Sequence, residues 1–408
     1  MNSESDIVIV GGGPVGSFAA LNLARMGAEV AVFEEHSTIG SPSHCAGHLS
    51  IRSLRNLGLY PLPGKIVQNT FSAANFYSPT GTKLSIRLSR PVTCAIDRTN
   101  FDKYLAEKAE AAETHYYLNS RVRSLLIDGG VVKGVNLETK GNVEATVSAK
   151  IVVDAEGIAS RILRQTGLPS LDRDRLVHAV ETEVENVENV EPDAVGVFMG
   201  KNYAPGFYAW LIPKTDGTAK VGLATKTGNP KEFLQRFMLK HPVASKQLAK
   251  ARITKIAFHP ISLGGPISKA YSNGFMAVGD VASQVKPTTG GGVIFGLTSA
   301  KIAAQVANEA LKRNDLSSSY LQLYQKRCAD MLGFDFSVML RIRKFLDALS
   351  DEKVDKALRF CAASGLDEKL RDVEEIDFQG QTFLKVLKKP FAFAILAYFL
   401  TLYLSANP

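Results

Sequence analysis

The sequence predicts an α/β fold in which a parallel βαβ unit comes first, an antiparallel sheet of α+β character follows, and a helical region closes the chain. Residues 6–35 follow a strand, turn, helix and strand pattern. Residues 176–225 form short strands separated by turn signals, and residues 321–408 carry apolar side chains at helical spacing. A chain of 408 residues is long enough for two or three domains of these different types.

The first element is the stretch DIVIVGGGPVGSFAALNLARMGAEVAVFEE, with glycines in G-x-G-x-x-G spacing between a strand and a helix. Gly11 permits the tight turn, Gly13 lets the backbone approach a pyrophosphate, and Gly16 allows the helix to pack closely on the strand. The second strand is predicted over Val30 to Phe33, and Glu34 follows it, where an acidic side chain takes the ribose hydroxyls of an adenosine. The pattern predicts a Rossmann-like dinucleotide site for FAD or NAD; a structural glycine turn is the alternative.

The composition is that of an ordinary globular protein, with 45% apolar and 22% charged residues. Lysine and arginine exceed aspartate and glutamate by 48 − 40 = 8, which indicates either attraction to phosphate esters and anionic lipid or simple solubility. The four cysteines show no C-x-x-C pair and no metal-ligand spacing. We therefore predict a cytoplasmic protein with no bound metal and no nucleic-acid partner.

The loop after Glu35, HSTIGSPSHCAGHLS, is rich in glycine, serine and proline and contains Cys45 between small residues. Such a cysteine can approach a planar ring, and loops on a rigid sheet often carry function. The three loop histidines lack a convincing metal pattern and are interpreted as solvated. Cys45 is a candidate functional thiol, with a purely structural role left open.

The following elements alternate between helices and strands. Helices are predicted over residues 51–60 and 99–112, and strands within 71–91, 121–127, 131–137 and 151–153. Arg98, just ahead of the second helix, is either a surface charge or a ligand of phosphate or flavin.

The antiparallel layer contains GFYAWLIP, where Tyr208 and Trp210 lie on one face of a strand by the two-residue period. Aromatic residues at this spacing belong to a core or to the wall of a binding site. A basic helix is predicted over residues 230–251. This layer suits a substrate domain better than a second nucleotide fold.

A second glycine-rich turn follows the strand YSNGFMAVGD, which ends at Gly279-Asp280. The loop PTTGGG leads into a helix predicted over residues 293–311. The positive end of that helix favours negative charge, as on the N1 and O2 edge of a reduced flavin.

The C-terminal tail places Lys385, Lys388 and Lys389 before an apolar run of fourteen residues, 391–404. A helix of that length cannot span a bilayer core of ~30 Å, which needs about 20 residues. The run is an interfacial anchor, a lid over an apolar tunnel, or a buried core helix.

Over about its first 310 residues, the chain resembles the FAD superfamily of flavoprotein hydroxylases and glutathione reductases. This resemblance depends on the N-terminal unit, Asp97-Arg98, Glu156-Gly157 and Gly279-Asp280 with the glycines beyond it. More narrowly it resembles the geranylgeranyl reductase family, of the archaeal digeranylgeranylglycerophospholipid type. The narrower match depends on Ser43-His44-Cys45-Ala46-Gly47, on Tyr208-x-Trp210-x-x-Pro213 with Gly222 beyond it, and on the loop from Pro287 to Gly292.

The resemblance implies an FAD-binding domain of the hydroxylase/glutathione reductase type, an antiparallel substrate domain, and FAD as the tightly held cofactor. Tyr208 and Trp210 would line the substrate cavity, and Cys45 and Tyr208 would be catalytic. The implied contacts to FAD are made by Gly11, Gly13, Val15, Gly16, Glu34, Cys45, Ala46, Gly47, Arg98, Val122, Asp280, Gly291, Gly292 and Val293.

The reaction implied by the resemblance is saturation of isolated prenyl double bonds, as in geranylgeranyl ethers of a glycerol phosphate. A trisubstituted alkene has no carbonyl to polarise it, so we hypothesise that protonation of the less substituted carbon precedes hydride delivery from N5 of reduced FAD. The candidate proton sources are Cys45, Tyr208 or an ordered water. The protein positions the substrate and excludes water.

The implied partners are a geranylgeranyl lipid and an external electron donor, because the chain has neither a second G-x-G-x-x-G nor an iron–sulfur cysteine pattern. Glu156-Gly157 stands where the hydroxylases have Asp-Gly, so direct use of NADPH is not implied. The basic balance and apolar tail suit peripheral association with the inner face of the cell membrane.

The expected domain division is discontinuous. The FAD-binding domain takes residues 1–70, 97–172 and 270–312, the substrate domain 71–96 and 173–269, and the helical region 313–408. The alternatives left open are a reductase of geranylgeranyl diphosphate or of a chlorophyll-type prenyl tail, a flavin monooxygenase of the same fold, and a flavin-bearing lipid carrier without turnover.

Overall fold

The computed structural model describes residues 4–371, 373, 375–389 and 391–404. The strands are β1 (Glu4–Val10), β2 (Val30–Phe33), β3 (His48–Ser50), β4 (Val67–Phe71), β5 (Ala73–Tyr77), β6 (Lys83–Arg87), β7 (Thr93–Ile96), β8 (His115–Tyr117), β9 (Ser120–Asp128), β10 (Val131–Thr139), β11 (Val143–Asp154), β12 (Leu176–Glu185), β13 (Ala194–Met199), β14 (Tyr208–Pro213), β15 (Ala219–Thr225), β16 (Arg252–Ser262), β17 (Tyr271–Ser272) and β18 (Phe275–Ala277). The helices are α1 (Pro14–Ala24), α2 (Ile51–Asn56), α3 (Arg98–Glu110), α4 (Pro230–Lys240), α5 (Ala244–Gln247), α6 (Val293–Arg313), α7 (Ser318–Ala348), α8 (Asp351–Ala363), α9 (Leu366–Lys369), α10 (Gln379–Leu387) and α11 (Phe391–Leu404).

The chain divides into two compact units, each assembled from separate segments. The first unit comprises the described residues up to Ser43, with Arg98–Asp174 and Ser262–Phe336. The second comprises His44–Asp97, Arg175–Ile261 and the described residues from Ser337 onward. The assignment of ligands to the three domains expected from the sequence stays a prediction.

The first unit is built on a sheet with the strand order β17-β18-β11-β1-β2-β8, to which β10 and β9 add an antiparallel extension. Strand β1 runs parallel to β2 and to β11, and Val10 is in register with both Phe33 and Asp154. The side chains of Ile7 and Ile9 on one face and of Val8 on the other are completely buried, as expected for a parallel sheet covered on both faces. Helix α1 packs against α3 and α6. The predicted parallel βαβ unit is confirmed.

The second unit contains a larger, mainly antiparallel sheet with the order β16-β12-β15-β14-β13-β5-β6. One face packs against α4 and α5 through a core that includes Leu211, Leu223 and Phe237. The opposite face carries Trp210 and Ile212, which pack with residues of the small sheet β3-β7-β4. The mixed α/β class expected from the sequence is therefore confirmed, with the parallel and antiparallel sheets in different units.

The C-terminal helices of the second unit are held by apolar and aromatic contacts. Leu358 and Cys361 of α8 pack with Leu84 of β6. The ring of Tyr398 in α11 stacks on Phe360 in α8 with a centroid distance of 3.9 Å. Residues 405–408, at the end of the predicted helical tail, lie outside the described part of the chain, as does Pro390 before the apolar run.

Among the described residues, no helix is both long enough and apolar enough to cross a bilayer.

The predicted helix over residues 230–251 is wrong as a single element. Helix α4 ends at Lys240 and α5 begins at Ala244. Pro242 has no N–H and keeps the preceding His241 extended, at φ −67° and ψ 128°. The buried His241 ring uses Nδ1 to accept hydrogen bonds from the N–H groups of Val243 and Ala244, which stabilises the break.

Candidate functional site

The glycine turn after β1 is too crowded for side chains at two of its three motif positions. Gly11 has φ +97°, and a Cβ there would lie 2.6 Å from the carbonyl oxygen of Ala155. A Cβ on Gly16 would lie 2.0 Å from the carbonyl oxygen of Gly11. By contrast, a Cβ on Gly13 would meet nothing within 4 Å, and Gly13 begins α1 without a side-chain cap. The first N–H groups of α1 therefore face an open approach, which suits the pyrophosphate of a dinucleotide.

Glu34 lies directly after β2, beside the same turn. Its carboxylate accepts hydrogen bonds from the N–H of Gly12 at 2.8 Å and from the N–H of His36 at 2.9 Å. The Nδ1 of His36 lies 2.6 Å from Oε1, the same carboxylate oxygen that accepts from the His36 N–H. These contacts hold the acid at the end of the second strand, where the ribose of an adenosine is bound in this motif.

The second glycine-rich turn meets the first one at Val15. A Cβ on Gly279 would lie 3.1 Å from a methyl group of Val15, and one on Gly296 would lie 2.6 Å from the other. Gly292 begins α6 without a side-chain cap, and a Cβ there would lie 2.6 Å from Oδ1 of Asp280. Small residues thus bring the ends of α1 and α6 and the Asp280 carboxylate together, while the contacts of these residues with FAD stay predictions.

Gly291 and Val293 flank the N-terminus of α6. A Cβ on Gly291 would lie 2.8 Å from Cε of Lys286, whose side chain is buried. The sequence analysis did not single out Lys286. Its position adds a cation to the positive end of the α6 dipole, an arrangement that suits an anionic group.

Arg98 and Val122 lie at other edges of the first unit. The guanidinium of Arg98 donates to both carboxylate oxygens of Asp102, at 3.1 and 3.2 Å, within the first turn of α3. Val122 lies on β9, which begins at Ser120, whose N–H donates to the carbonyl of Glu34 at 2.9 Å. Val122 is thus near the acidic end of β2, while the roles of both residues toward FAD stay predictions.

Glu156 has a structural role that explains a glutamate at this position. Its carboxylate accepts hydrogen bonds from the N–H groups of Ile162 at 2.7 Å and Leu163 at 3.2 Å. The neighbouring Asp154 is fully buried, and burial raises its pKa well above the usual range. The longer side chain at residue 156 therefore caps the turn that follows β11.

The segment Cys45–Gly47 belongs to the second unit and is held mainly through its backbone. Gly47 has φ +67°, and its N–H lies 3.4 Å from Sγ of Cys45. Its carbonyl accepts from the N–H of Ile96 at 2.8 Å. Ala46 packs in the cluster that also contains Trp210. The structure thus brings the predicted thiol segment and the predicted substrate-binding tryptophan into one part of the second unit.

Trp210 is placed by a row of three residues across neighbouring strands. Gly222 on β15 is in register with Trp210 on β14 and with Glu181 on β12. A Cβ on Gly222 would lie 2.5 Å from the indole ring, so the glycine lets the ring lie across β15. The indole Nε1 donates to Oε2 of Glu181 at 3.1 Å.

Tyr208 lies two residues before Trp210, and the two rings meet edge to face with a centroid distance of 6.0 Å. Phe207 stacks on Tyr208 at 4.3 Å. Burial raises the pKa of the Tyr208 hydroxyl above its ordinary value, which makes it a weaker proton donor. Its catalytic role stays a prediction.

Two charged residues on the face of the sheet that carries Trp210, the buried Lys220 and the partly buried Glu181, were not singled out from the sequence. Burial raises the pKa of Glu181 to about 7, against the attraction of the positive charge on Lys220. Burial lowers the pKa of Lys220, against the negative charge of Glu181. The alternating glutamates in VETEVE are typical of a strand face in contact with solvent. Lys220, however, lies two residues before Gly222 and therefore on the same face of β15, which indicates that a cation and the glutamates share one face of the sheet.

Comparison with known proteins identifies the fold and the family. The family described as FAD binding domain matches residues 4–331. Digeranylgeranylglycerophospholipid reductase 2 of Methanopyrus kandleri is 34% identical over 392 residues, which cover 95% of this chain and 96% of that protein. Digeranylgeranylglycerophospholipid reductase of Methanocaldococcus jannaschii is 32% identical over 402 residues, with 98% of each chain covered.

Solved structures show the same fold. A geranylgeranyl bacteriochlorophyll reductase-like protein from Thermoplasma acidophilum superposes with a TM-score of 0.87, at 27% identity, over 98% of this chain and 99% of that chain. The FAD-dependent halogenase CndH, at 20% identity and a TM-score of 0.69 over 83% of this chain and 82% of its own, shares the fold. FAD is the cofactor, and the chain belongs to the digeranylgeranylglycerophospholipid reductase family of FAD-binding proteins.

Proposed function

We propose that this protein is an FAD-dependent reductase that saturates the isoprenoid double bonds of geranylgeranyl groups on a glycerophospholipid, in the synthesis of archaeol-type membrane lipids. The observation that carries the proposal is the nearly full-length match, at 34% and 32% identity, to two digeranylgeranylglycerophospholipid reductases. The reaction class is oxidoreduction of a CH–CH group.

The first unit supplies the FAD site. The uncapped N-termini of α1 and α6 offer N–H groups to the anionic parts of the cofactor, Glu34 takes the ribose, and Asp280 takes the ribityl chain. When bound and reduced, FAD supplies the hydride for the reaction. Arg98, Val122 and the backbone at Gly291–Val293 complete the proposed contacts.

The second unit supplies the lipid site and the proton. An isolated trisubstituted alkene resists hydride attack until a proton develops tertiary carbocation character on the carbon skeleton. Because burial raises the pKa of Tyr208, the Cys45 thiol is the better candidate proton donor of the two. Tyr208 and Trp210 then serve to hold the apolar chain and to exclude water.

The electron donor is external, and the lipid is drawn from a membrane on which the protein sits peripherally. The net charge of +8 favours an anionic headgroup, and the apolar helix α11 favours an interfacial contact. Removing residues 391–408 should lower association with vesicles of anionic lipid, measured by co-sedimentation. Because α11 also stacks on α8, the melting temperature of the truncated protein must be compared first. Unchanged sedimentation of a folded truncation would contradict the membrane role.

The test is mass spectrometry of digeranylgeranyl glycerol phosphate after anaerobic incubation with the yellow holoprotein and dithionite. Each double bond reduced adds about 2 mass units, since one hydride and one proton are gained. Bleached flavin without a change in mass would overturn the substrate assignment. Geranylgeranyl diphosphate and a chlorophyll-type prenyl ester, incubated in parallel, distinguish the alternative substrates, while a hydroxylated product in air with NADPH would indicate a monooxygenase.

A further inference from the structure

Lys220 is an unusual residue for the interior of a sheet, because its side chain is only 4% exposed. Its Nζ donates to the carbonyl of Ala46 at 2.9 Å and to the carbonyl of Ile96 at 2.9 Å. One of these carbonyls lies directly after Cys45, and the other ends β7. The ammonium thus ties the thiol segment to the strand next to it.

The charges around Lys220 come from several elements. Glu183 is in register with Lys220 across β12 and β15, and Glu181 is two residues away on the same face. Negative charge on Glu181, Cys45 or Glu183 favours the charged form of Lys220. Lys214 lies nearby and pairs with Glu183 and Asp216. The other titratable or charged groups on the surrounding segments are Lys255 on β16, Asp97 after Ile96, and His44 and His48 on either side of the thiol segment.

We propose that Lys220 is a positioning residue for the Cys45 thiol: its ammonium fixes the Cys45–Gly47 backbone and stabilises negative charge on Sγ. The role of that thiol in catalysis rests on the proposed function. The sulfur and the nitrogen need not form an ion pair, because a cation held inside the unit acts through a medium of low dielectric constant.

The balance of the reaction shows why a fixed cation is useful. The S–H bond of Cys45 breaks, its proton forms a C–H bond at the less substituted alkene carbon, and the electron pair remains on sulfur. Reduced FAD, when bound, would supply the hydride for the second C–H bond. Glu181 or solvent then returns a proton to the thiolate, and burial raises the pKa of Glu181 to about 7, so that it holds a proton near neutral pH.

The test is the rate of iodoacetamide alkylation of Cys45 in the holoprotein, followed by peptide mass spectrometry from pH 6 to pH 10. Burial raises the pKa of Cys94 and Cys328 to about 12 and that of Cys361 to about 11, so Cys45 reacts first. In Lys220→Met the alkylation of Cys45 at neutral pH should slow by about tenfold, because the ammonium that stabilises the negative charge on Sγ is gone. Lys220→Arg should restore part of the rate.

Lys214→Met is the matched control, because Lys214 is a neighbouring, mostly buried lysine that pairs with Glu183 and Asp216. Cys45 should be alkylated in this variant at nearly the rate of the unchanged protein. An equal loss of rate in both lysine variants, or an unchanged rate in Lys220→Met, would overturn the proposal. If Lys220→Met does not fold, Lys220→Gln keeps a hydrogen-bond donor without the charge, and an unchanged alkylation rate in that variant would overturn the proposal as well. The assay contains no lipid, so a failure of the proposed function leaves its result unaffected.

Discussion

The two units of this protein hold their sites together in different ways. In the first unit the site is made of backbone: glycines that tolerate no Cβ and helix N-termini without side-chain caps. In the second unit it is made of side chains that reach across strands, as in the row from Trp210 over Gly222 to Glu181. Backbone groups are the same in every sequence, so contacts made by the backbone suit a cofactor that a whole superfamily shares. Contacts made by side chains can be altered by substitution, so they suit a substrate that differs between family members.

The largest effect is expected when one methyl group is added to the glycine turn of the first unit. In Gly16→Ala the new Cβ would lie 2.0 Å from the carbonyl oxygen of Gly11, so we expect the protein to lose FAD and to fold poorly. Gly13→Ala is the matched control, since its Cβ meets nothing within 4 Å. That variant should fold normally but bind FAD more weakly, because the pyrophosphate approaches there. Flavin absorbance of the purified proteins measures the FAD content, and circular dichroism measures the folding. Full flavin occupancy in Gly13→Ala would contradict the proposal that the pyrophosphate approaches the backbone at Gly13.

The same change in the second unit should leave the cofactor in place. In Gly222→Ala the new Cβ would lie 2.5 Å from the indole of Trp210 and 2.6 Å from the carbonyl oxygen of Val180, so both have to move, and overpacking of this kind costs about 1–3 kcal/mol of folding free energy. We expect full flavin content, a lower melting temperature and strongly reduced lipid turnover. Gly64→Ala, where a Cβ meets nothing within 4 Å, is the control in the same unit. Loss of FAD from Gly222→Ala would show that the two sites are not separate in this way.

Glu34 is the side chain proposed to bind the ribose of the adenosine half of FAD. Glu34→Ala removes an acceptor that is bonded to Gly12 and His36, and we expect the affinity for FAD to fall about 10- to 150-fold, since a charged hydrogen bond is worth about 1.5–3 kcal/mol. Equilibrium dialysis of the flavin measures this, with Glu34→Gln as the conservative variant. Unchanged retention of FAD would exclude the ribose role.

The smallest effect is expected from the buried acid of the second unit, and it depends on pH. Burial raises the pKa of Glu181 from 4.5 to about 7, so the folded protein binds this proton more tightly than the unfolded chain. The resulting stabilisation is fully present below pH 4.5 and is lost as the pH rises through about 7. Melting temperatures of the unchanged protein should therefore fall relative to Glu181→Gln over this interval. A difference between the two proteins that stays constant with pH would contradict the buried position of the acid.

Several elements of the first unit could be predicted because their signals are local. Strand β2 covers the same residues that the sequence indicated, and α6 begins at the expected Val293. The helix predicted after Pro230 is wrong because periodicity alone does not weigh a proline against the helix around it. Strand β16 was not predicted, since at an edge its apolar Ile253 and Phe258 stay half exposed and give no clear alternation.

The residues of the candidate site likewise fall into those that could be predicted from the sequence and those that could not. The glycines, Glu34 and Asp280 are recognisable because their spacing encodes a turn with a known ligand geometry. Glu181 and Lys220 are not, because a charged residue in a strand is ordinarily solvated and only the packing around it shows otherwise. Cys45 could be named from its neighbours in the chain, but its proximity to Lys220 depends on residues far away in the sequence.

The βαβ unit, the antiparallel layer after it and the family of the protein could be predicted, because each has signals in residues that are neighbours along the chain. The burial of charged side chains, the position of Trp210 over Gly222 and the hydrogen bond from Lys220 to the Cys45 segment depend on tertiary contacts. Those contacts join strands that are distant in the chain, and the free energy of a buried charge depends on every group packed around it.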